Sequence, residues 1–371
     1  MPSIHRRRFL LAAAATLSSP WLLPLSSAQA QAPGITDISA RLDWPARVVQ
    51  LKADPDELTP PVITALEIHR EGQVIATAGD DHIVRIYSLN DGSQVQRLEA
   101  HADWVRTIDY SLDGSLLASA GNDRRVLLWP TTADPKPRQF VVHEQAIASV
   151  KFSDDATKLA VVGFEQAVRL YRVSDGELLW QAAGPCNDLR TVVFAPDQKS
   201  VAVAGRCGSI RLLSVADGRV IRDFVAHKQR VRALEFSPDG SFLASVGEDR
   251  TIHIQPLSDG AVGKNLPQRP VKVLSATFYA PGKLAVGGSD NLVRLWDVIK
   301  HEEVGLLTGH TGSVAALGAK GTMLASAGYD TTLRLWTITE NIAGAPAAAG
   351  TPRVGTAPSL PSFGLPPVNT R

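Results

Sequence analysis

The sequence predicts an all-β chain, a seven-bladed β-propeller of four-stranded antiparallel blades closed by an N-terminal strand that completes the last blade. Three observations lead there. A block of about 42 residues recurs along residues 45–340. Each block carries short β-prone runs separated by turn signals. The chain is also rich in the turn formers Gly (29) and Pro (24), which suits many short strands.

The register is clearest in one run of each block: Ile83-Val84-Arg85-Ile86-Tyr87, Val126-Leu127-Leu128-Trp129, Val168-Arg169-Leu170-Tyr171, Ile210-Arg211-Leu212-Leu213, Ile252-His253-Ile254-Gln255, Val293-Arg294-Leu295-Trp296 and Leu333-Arg334-Leu335-Trp336. Their last residues lie 42, 42, 42, 42, 41 and 40 positions apart, a register that chance does not produce. Ahead of each run lies another β signal, such as residues 116–120 or 242–246, and before that a third, such as Val231–Phe236. Turns such as Pro238-Asp239-Gly240 and Leu112-Asp113-Gly114 separate them. A fourth short strand follows a further turn, as at Asn90-Asp91-Gly92 or Ser174-Asp175-Gly176. Four strands in 40 to 45 residues is the arithmetic of a propeller blade.

Charge narrows the partners. Lys plus Arg number 38 against 37 Asp plus Glu, a formal charge of +1, so there is no basic surplus for a phosphate backbone and no nucleic-acid partner is expected. Two cysteines are too few for a disulfide scaffold or a four-Cys zinc site.

Residues 1–30 are expected to be a cleavable signal peptide. Arg6, Arg7 and Arg8 precede Phe9-Leu10 and an apolar run through Ala15, then Trp21-Leu22-Leu23, and the segment closes on the small residues Ala28-Gln29-Ala30. His5-Arg6-Arg7-Arg8-Phe9-Leu10-Leu11 resembles a twin-arginine (Tat) signal; His5 and Leu11 depart from that pattern, and a Sec signal is the alternative. Pro20 and Pro24 break the segment below the roughly 20 apolar residues of a membrane span, so no stable membrane insertion is expected. Cleavage after Ala30 removes three Arg and no acid, leaving 35 basic against 37 acidic residues. The expected location is the periplasm, where disulfides persist. Residues 31–44 are then expected to lead into the propeller, and residues 341–371, mostly Ala, Gly, Pro, Ser and Thr, are expected to form a disordered tail.

Over residues 45–340 the repeats resemble the WD-repeat family. Blades of that family carry a His in the loop leading into the blade, a Ser or Thr on the second strand, an Asp in the following turn and a Trp on the third strand. Blade two offers His101, Ser119, Asp123 and Trp129, and blade seven offers His310, Ser326, Asp330 and Trp336. Blade five keeps His227, Ser245 and Asp249 with Gln255 in place of Trp; blade one keeps Thr77 and Asp81 with Tyr87. Blade six has Asp290 and Trp296, blade three has His143 with Glu165, and blade four has none of the four. A His bonded to Asp, with Ser and the indole N–H beside it, satisfies partly buried polar groups together, so these tetrads are structural. The resemblance also implies closure. The last blade needs an outer strand, and Arg47-Val48-Val49-Gln50-Leu51 is the segment that supplies it, removing an exposed edge.

Cys207 stands where blade four would carry the turn Asp, and Cys186 follows Pro185, which holds the place of the His. Those two places face each other in the other blades. A disulfide between Cys186 and Cys207 is therefore expected, against the alternative of two unpaired small core residues.

No G-x-S-x-G elbow, H-E-x-x-H, P-loop or C-x-x-C-H sequence occurs, and no catalytic residue, metal or cofactor is expected. What remains is a surface. The resemblance places Asp80, Asn122, Phe164, Arg206, Glu248, Ser289 and Tyr329, together with Trp104, Asp188, Arg230, Lys272 and Ser313, on the top face around the central channel. Trp104, Phe164 and Tyr329 beside Asp188, Arg206, Arg230 and Glu248 have the composition of a protein-binding hot spot. The expectation is a monomeric, non-catalytic exported scaffold that holds a protein or peptide partner there and assists assembly of an exported complex. The alternative is a periplasmic propeller enzyme or cofactor carrier with a haem, quinone or metal in the channel, which requires convergent His or carboxylates. None is expected to converge here.

Digestion of the purified protein without reductant should yield the Cys186 and Cys207 peptides linked to each other. Two free thiols in that mass spectrum would rule the bond out.

Overall fold

Short β-prone runs joined by tight turns pair most readily with their sequence neighbours, which yields consecutive antiparallel meanders. The computed structural model describes residues 45–51 and 60–338. The expected signal and lead-in lie outside the described residues, as do 339 and 340 at the expected end of the propeller and the tail beyond. The described residues form seven four-stranded antiparallel sheets. Blade one consists of Ile63–Ile68, Val74–Gly79, Ile83–Ser88 and Gln94–Glu99, in that spatial order. Blades two to six repeat the pattern, with innermost strands Val105–Tyr110, Ile147–Phe152, Leu189–Phe194, Val231–Phe236 and Val273–Ala280. The order of each sheet follows the chain outward from the axis.

Blade seven differs. Its inner strands Val314–Lys320, Met323–Gly328 and Thr332–Thr337 are completed by Ala46–Gln50 from the other end of the described chain. Ala46 stands opposite Trp336 and Gln50 opposite Thr332. The strand begins one residue earlier than expected and releases Leu51, whose N–H donates to the Thr331 carbonyl at 3.2 Å. The Leu51 side chain then drops into the core between blades seven and one, beside Leu333, Ile75 and Tyr87.

The cores lie between blades. Ala118 and Leu128 of blade two pack against Val150, Phe152 and Leu159 of blade three, and the other junctions repeat this. One position shows why the ring tolerates seven close junctions. Ala76, Ala118, Ala160, Ala202, Ala244, Ala285 and Ala325 occupy the same place on successive second strands, and all are 0% exposed. A methyl group there lets neighbouring sheets approach, and larger groups would overpack the junction.

Each innermost strand carries a bulge after its first residue, so that one residue is skipped in the pairing with the second strand. The skipped residues include Arg106, Arg190 and Arg232. A bulge re-aims the side chain it carries, and here it brings three arginines to the channel mouth. The channel holds a cavity of about 460 Å³ lined by the innermost strands. A second cavity of about 330 Å³ adjoins it among the turns of the opposite face.

A chain shortened to begin after Gln50 should expose the Thr332–Thr337 edge, melt at lower temperature and scatter light on heating. A truncated chain as stable and monodisperse as the intact one would show that the strand does not close the ring.

Candidate docking face on the propeller

Polar groups at the blade edges are tied down first. In blade two, His101 Nδ1 meets Asp123 Oδ2 at 2.8 Å and Nε2 meets Ser119 Oγ at 2.7 Å, while Trp129 Nε1 donates to the same hydroxyl at 2.8 Å. Blade seven repeats this at His310, Asp330, Ser326 and Trp336 with the same distances. In blade five His227 meets Asp249 at 3.0 Å and Ser245 at 2.8 Å, and Gln255 instead donates to the Pro256 and Ala261 carbonyls. Burial pushes His227 and His310 below the ordinary histidine value. It also raises Asp249 and Asp330, but donors including Thr251, His227, Thr311 and His310 outweigh it and hold both carboxyls low.

Where the tetrad is incomplete, an arginine two residues before the Trp or Tyr takes over. Arg85 pairs with Asp81, and Arg294 reaches Asp290 at 2.6 Å. Arg169 serves both Glu165, at 3.1 Å, and His143 Nδ1, also at 3.1 Å. Burial, then the charge on Arg169, pushes His143 down to about 4. Sequence reasoning missed these residues although the arginine recurs in five of the seven third-strand runs. In blade six the second strand offers Val286 where blades two, five and seven have Ser, and Trp296 Nε1 is buried without a hydrogen-bond partner among the described residues. Blade four has the disulfide Cys186–Cys207, its Cα atoms 6.2 Å apart, between the loop leading into the blade and the turn.

The loops above these ties are held by close backbone approach. A side chain on Gly121 would place its Cβ 1.9 Å from the Trp104 carbonyl oxygen, so only glycine lets the turn seat against that loop. The Asn122 N–H donates to the same carbonyl at 2.9 Å, and Trp104 is left 43% exposed. Tyr329 of blade seven is 55% exposed, its N–H bound to the Ser313 carbonyl at 3.0 Å.

Phe164 differs from Trp104 and Tyr329 in its exposure. It is half-buried, with the guanidinium of Arg190 4.0 Å and that of Arg106 5.1 Å from its ring centre. The arginines come from the flanking blades, where the bulges aim them. Arg230 is likewise engaged: it reaches Glu248 at 3.0 Å and Asp188 at 3.3 Å. Arg206 is exposed, and its N–H donates to the Asp188 carbonyl at 3.0 Å. The structure thus brings Phe164, Asp188, Arg230 and Glu248 into one cluster with Arg106, Arg190 and Arg232, which sequence reasoning did not single out.

Among the described residues no three His, Cys, Asp or Glu side chains are placed to hold a metal, but carboxylates do gather around one lysine. Glu67, Asp109, Lys151 and Glu235 occupy one phase of the repeat and face the channel axis. Lys151 Nζ lies 2.6 Å from Asp109 and 3.5 Å from Glu67, and the Phe152 N–H donates to Asp109 at 2.7 Å. Desolvation inside the channel pushes Glu235 up to about 7, and the neighbouring acids reinforce it against the opposing pull of Lys151. The group is an internal ion pair with two flanking acids.

Ser119→Ala would leave His101 Nε2 and Trp129 Nε1 unsatisfied and should cost about 2 kcal/mol by denaturant titration. Stability should also fall as pH drops from 6.5 towards 4, because His143, His227 and His310 are held below their unfolded value and the unfolded chain takes up protons first. Glu235 acts in the opposite sense. Its stabilisation is complete below 4.5 and is lost as pH rises through about 7, so Glu235→Gln should raise the melting temperature in alkaline buffer and leave it nearly unchanged at pH 4.5.

The WD40 profile (WD domain, G-beta repeat) matches residues 57–88, 92–130, 218–254 and 301–337. The profile of the anaphase-promoting complex subunit 4 WD40 domain matches residues 150–230. Mitochondrial division protein 1 of Mycosarcoma maydis is 36% identical over 69 residues, 18% of this chain and 8% of that protein. NACHT domain- and WD repeat-containing protein 1 of Homo sapiens is 40% identical over 57 residues, 15% of this chain and 4% of that protein. The chain therefore matches less than a tenth of either relative's own length. From the matched segments, the buried tetrads and the closed ring together, the chain carries WD40 repeats folded as a seven-bladed β-propeller.

Proposed function

We propose that this propeller is a non-catalytic exported scaffold that holds a protein or peptide partner on its top face and assists assembly of a complex in the periplasm. One observation carries the proposal: Trp104 and Tyr329 stand 43% and 55% exposed beside a cluster of arginines at the channel mouth. Large aromatics next to guanidinium groups supply rigid contact area and directional hydrogen bonds, the ingredients of interface hot spots. The propeller fold supports the same conclusion, since WD40 propellers serve broadly as protein-interaction scaffolds. The histidines of the complete tetrads have both ring nitrogens engaged within their blades, which argues for structure over chemistry. Export rests on the signal-like segment at residues 6–30 and accords with a disulfide in the fold, since disulfides persist in oxidising compartments.

A second reading has the channel host a cofactor or metal, although among the described residues no three His, Cys, Asp or Glu side chains are placed to hold a metal. Lys151 answers part of the charge of the channel carboxylates from within, which favours the scaffold. Visible absorption and metal analysis of protein purified from its own compartment separate the two: a chromophore or a stoichiometric metal supports the second.

A photo-crosslinking residue placed at Trp104 or Tyr329 in the native host should capture a partner. The same residue at Val220, 50% exposed on the outer strand of blade four, should not. Capture from Val220 alone would overturn the placement, and recovery of the mature chain in the cytoplasm would overturn the proposed location.

A further inference from the structure

Charge at the channel mouth is unbalanced. Arg106, Arg190, Arg230 and Arg232 outnumber the carboxylates around them, Asp103, Asp188 and Glu248. Glu248 Oε1 is shared by Arg230 at 3.0 Å and Arg232 at 3.4 Å. Asp188 lies 2.7 Å from Arg190 Nε, yet the pair is out of line and neither atom completes a hydrogen bond. Arg230 Nε is also buried without an acceptor.

Among the described residues Arg106 has no carboxylate within ion-pair distance, and Asp103 acts on it from farther away. Its Nε donates to Asn122 Oδ1 at 2.5 Å, and its guanidinium lies 5.7 Å from the Trp104 ring centre and 5.1 Å from that of Phe164. Desolvation pushes Arg106 below its ordinary value, and the charge of Arg232 pushes the same way against Asp103 and Asp188. Arg190 is lowered likewise, first by desolvation, with Arg230 and Arg106 adding to it against Asp188. Cations gathered and partly dried at one place lack their counter-charge, which an incoming anion supplies. The surplus is local, because the chain as a whole is nearly neutral at +1.

We propose that the mouth binds an acidic peptide segment of the partner, one Asp or Glu side chain lying between Arg106 and Arg232 and an adjoining apolar side chain resting on Trp104. This rests on the top face being the docking face. Two features shape the choice of ligand. The planar guanidinium groups suit bidentate carboxylates, and free donor capacity remains on Arg106 and Arg230. Below the mouth, Lys151 already pairs with Asp109 and Glu67, so the unanswered guanidinium groups lie at the rim. Glu248 and Asp188 act as internal competitors that keep the arginines in place before the partner arrives.

Selection of short random peptides displayed against the intact chain, followed by fluorescence polarisation of a labelled selected peptide, tests this. The selected peptides should be enriched in Asp and Glu beside an aromatic or aliphatic residue and should bind less tightly at high salt. Arg106→Gln combined with Arg232→Gln should weaken binding about tenfold or more. Glu248→Gln, which removes a competitor without deleting a guanidinium, should tighten it, and this gain distinguishes binding from a folding defect. Arg219→Gln, on the outer part of blade four, should change nothing. Peptides without acidic enrichment that still lose binding on Trp104→Ala would overturn the acidic ligand and leave the docking face standing. Peptides indifferent to Trp104, Arg106 and Arg232 would overturn both.

Discussion

The structure depends on the closing of blade seven by Ala46–Gln50. A blade of this kind has no core of its own: its sheet is buried only against the next sheet. The junction between blades seven and one illustrates this, with Leu333 and Leu335 on one side, Ile63, Ile75 and Tyr87 on the other, and Leu51 arriving from the closing segment. Leaving the ring open would strip apolar surface from two blades at once and present an unpaired edge to other chains. The channel and its mouth exist because the last blade is fastened by strand pairing as well as by side-chain packing.

Much of the fold was legible because the same burial problem is solved seven times. Each recurrence of Ala76, Ala118 and their counterparts, each Asp-Gly turn and each tetrad repeats one local answer, and the period exposes them. The closing strand was also legible, displaced by one residue because Leu51 gains more from the core than from the ladder. What escaped notice depends on geometry between repeats. Arg106, Arg190 and Arg232 sit on strands, and a bulge changes the parity on which inward and outward positions are judged. Glu67, Asp109 and Glu235 are far apart in sequence and meet only when the ring closes. Their common phase was visible in the repeat, but which face of the strand that phase occupies was not. Phe164 was placed at the right loop, but its partial burial was not legible, since the arginines that cover it come from neighbouring blades.

Electrostatics along the axis follow from those same strands. The skipped residue of each innermost strand sets the charge of the mouth, and the residue three places on sets the charge below it. Arginines therefore stand above acids in one channel, with Lys151 making the lower group stable. Because the tetrads, the Cys186–Cys207 bond and the glycine contacts hold the loops, the exposed aromatics are presented with little freedom left to lose on binding.

The central claim is that a closed WD40 propeller presents its top loops to a partner. Hydrogen–deuterium exchange of the intact chain with and without the captured partner tests it most directly. Protection should gather in the loops around residues 102–106, 164–165, 186–188 and 228–232 while the outer strands exchange as before. Protection confined to the outer strands, such as Val220–Val225, or to the turns of the opposite face around 112–114 would contradict it.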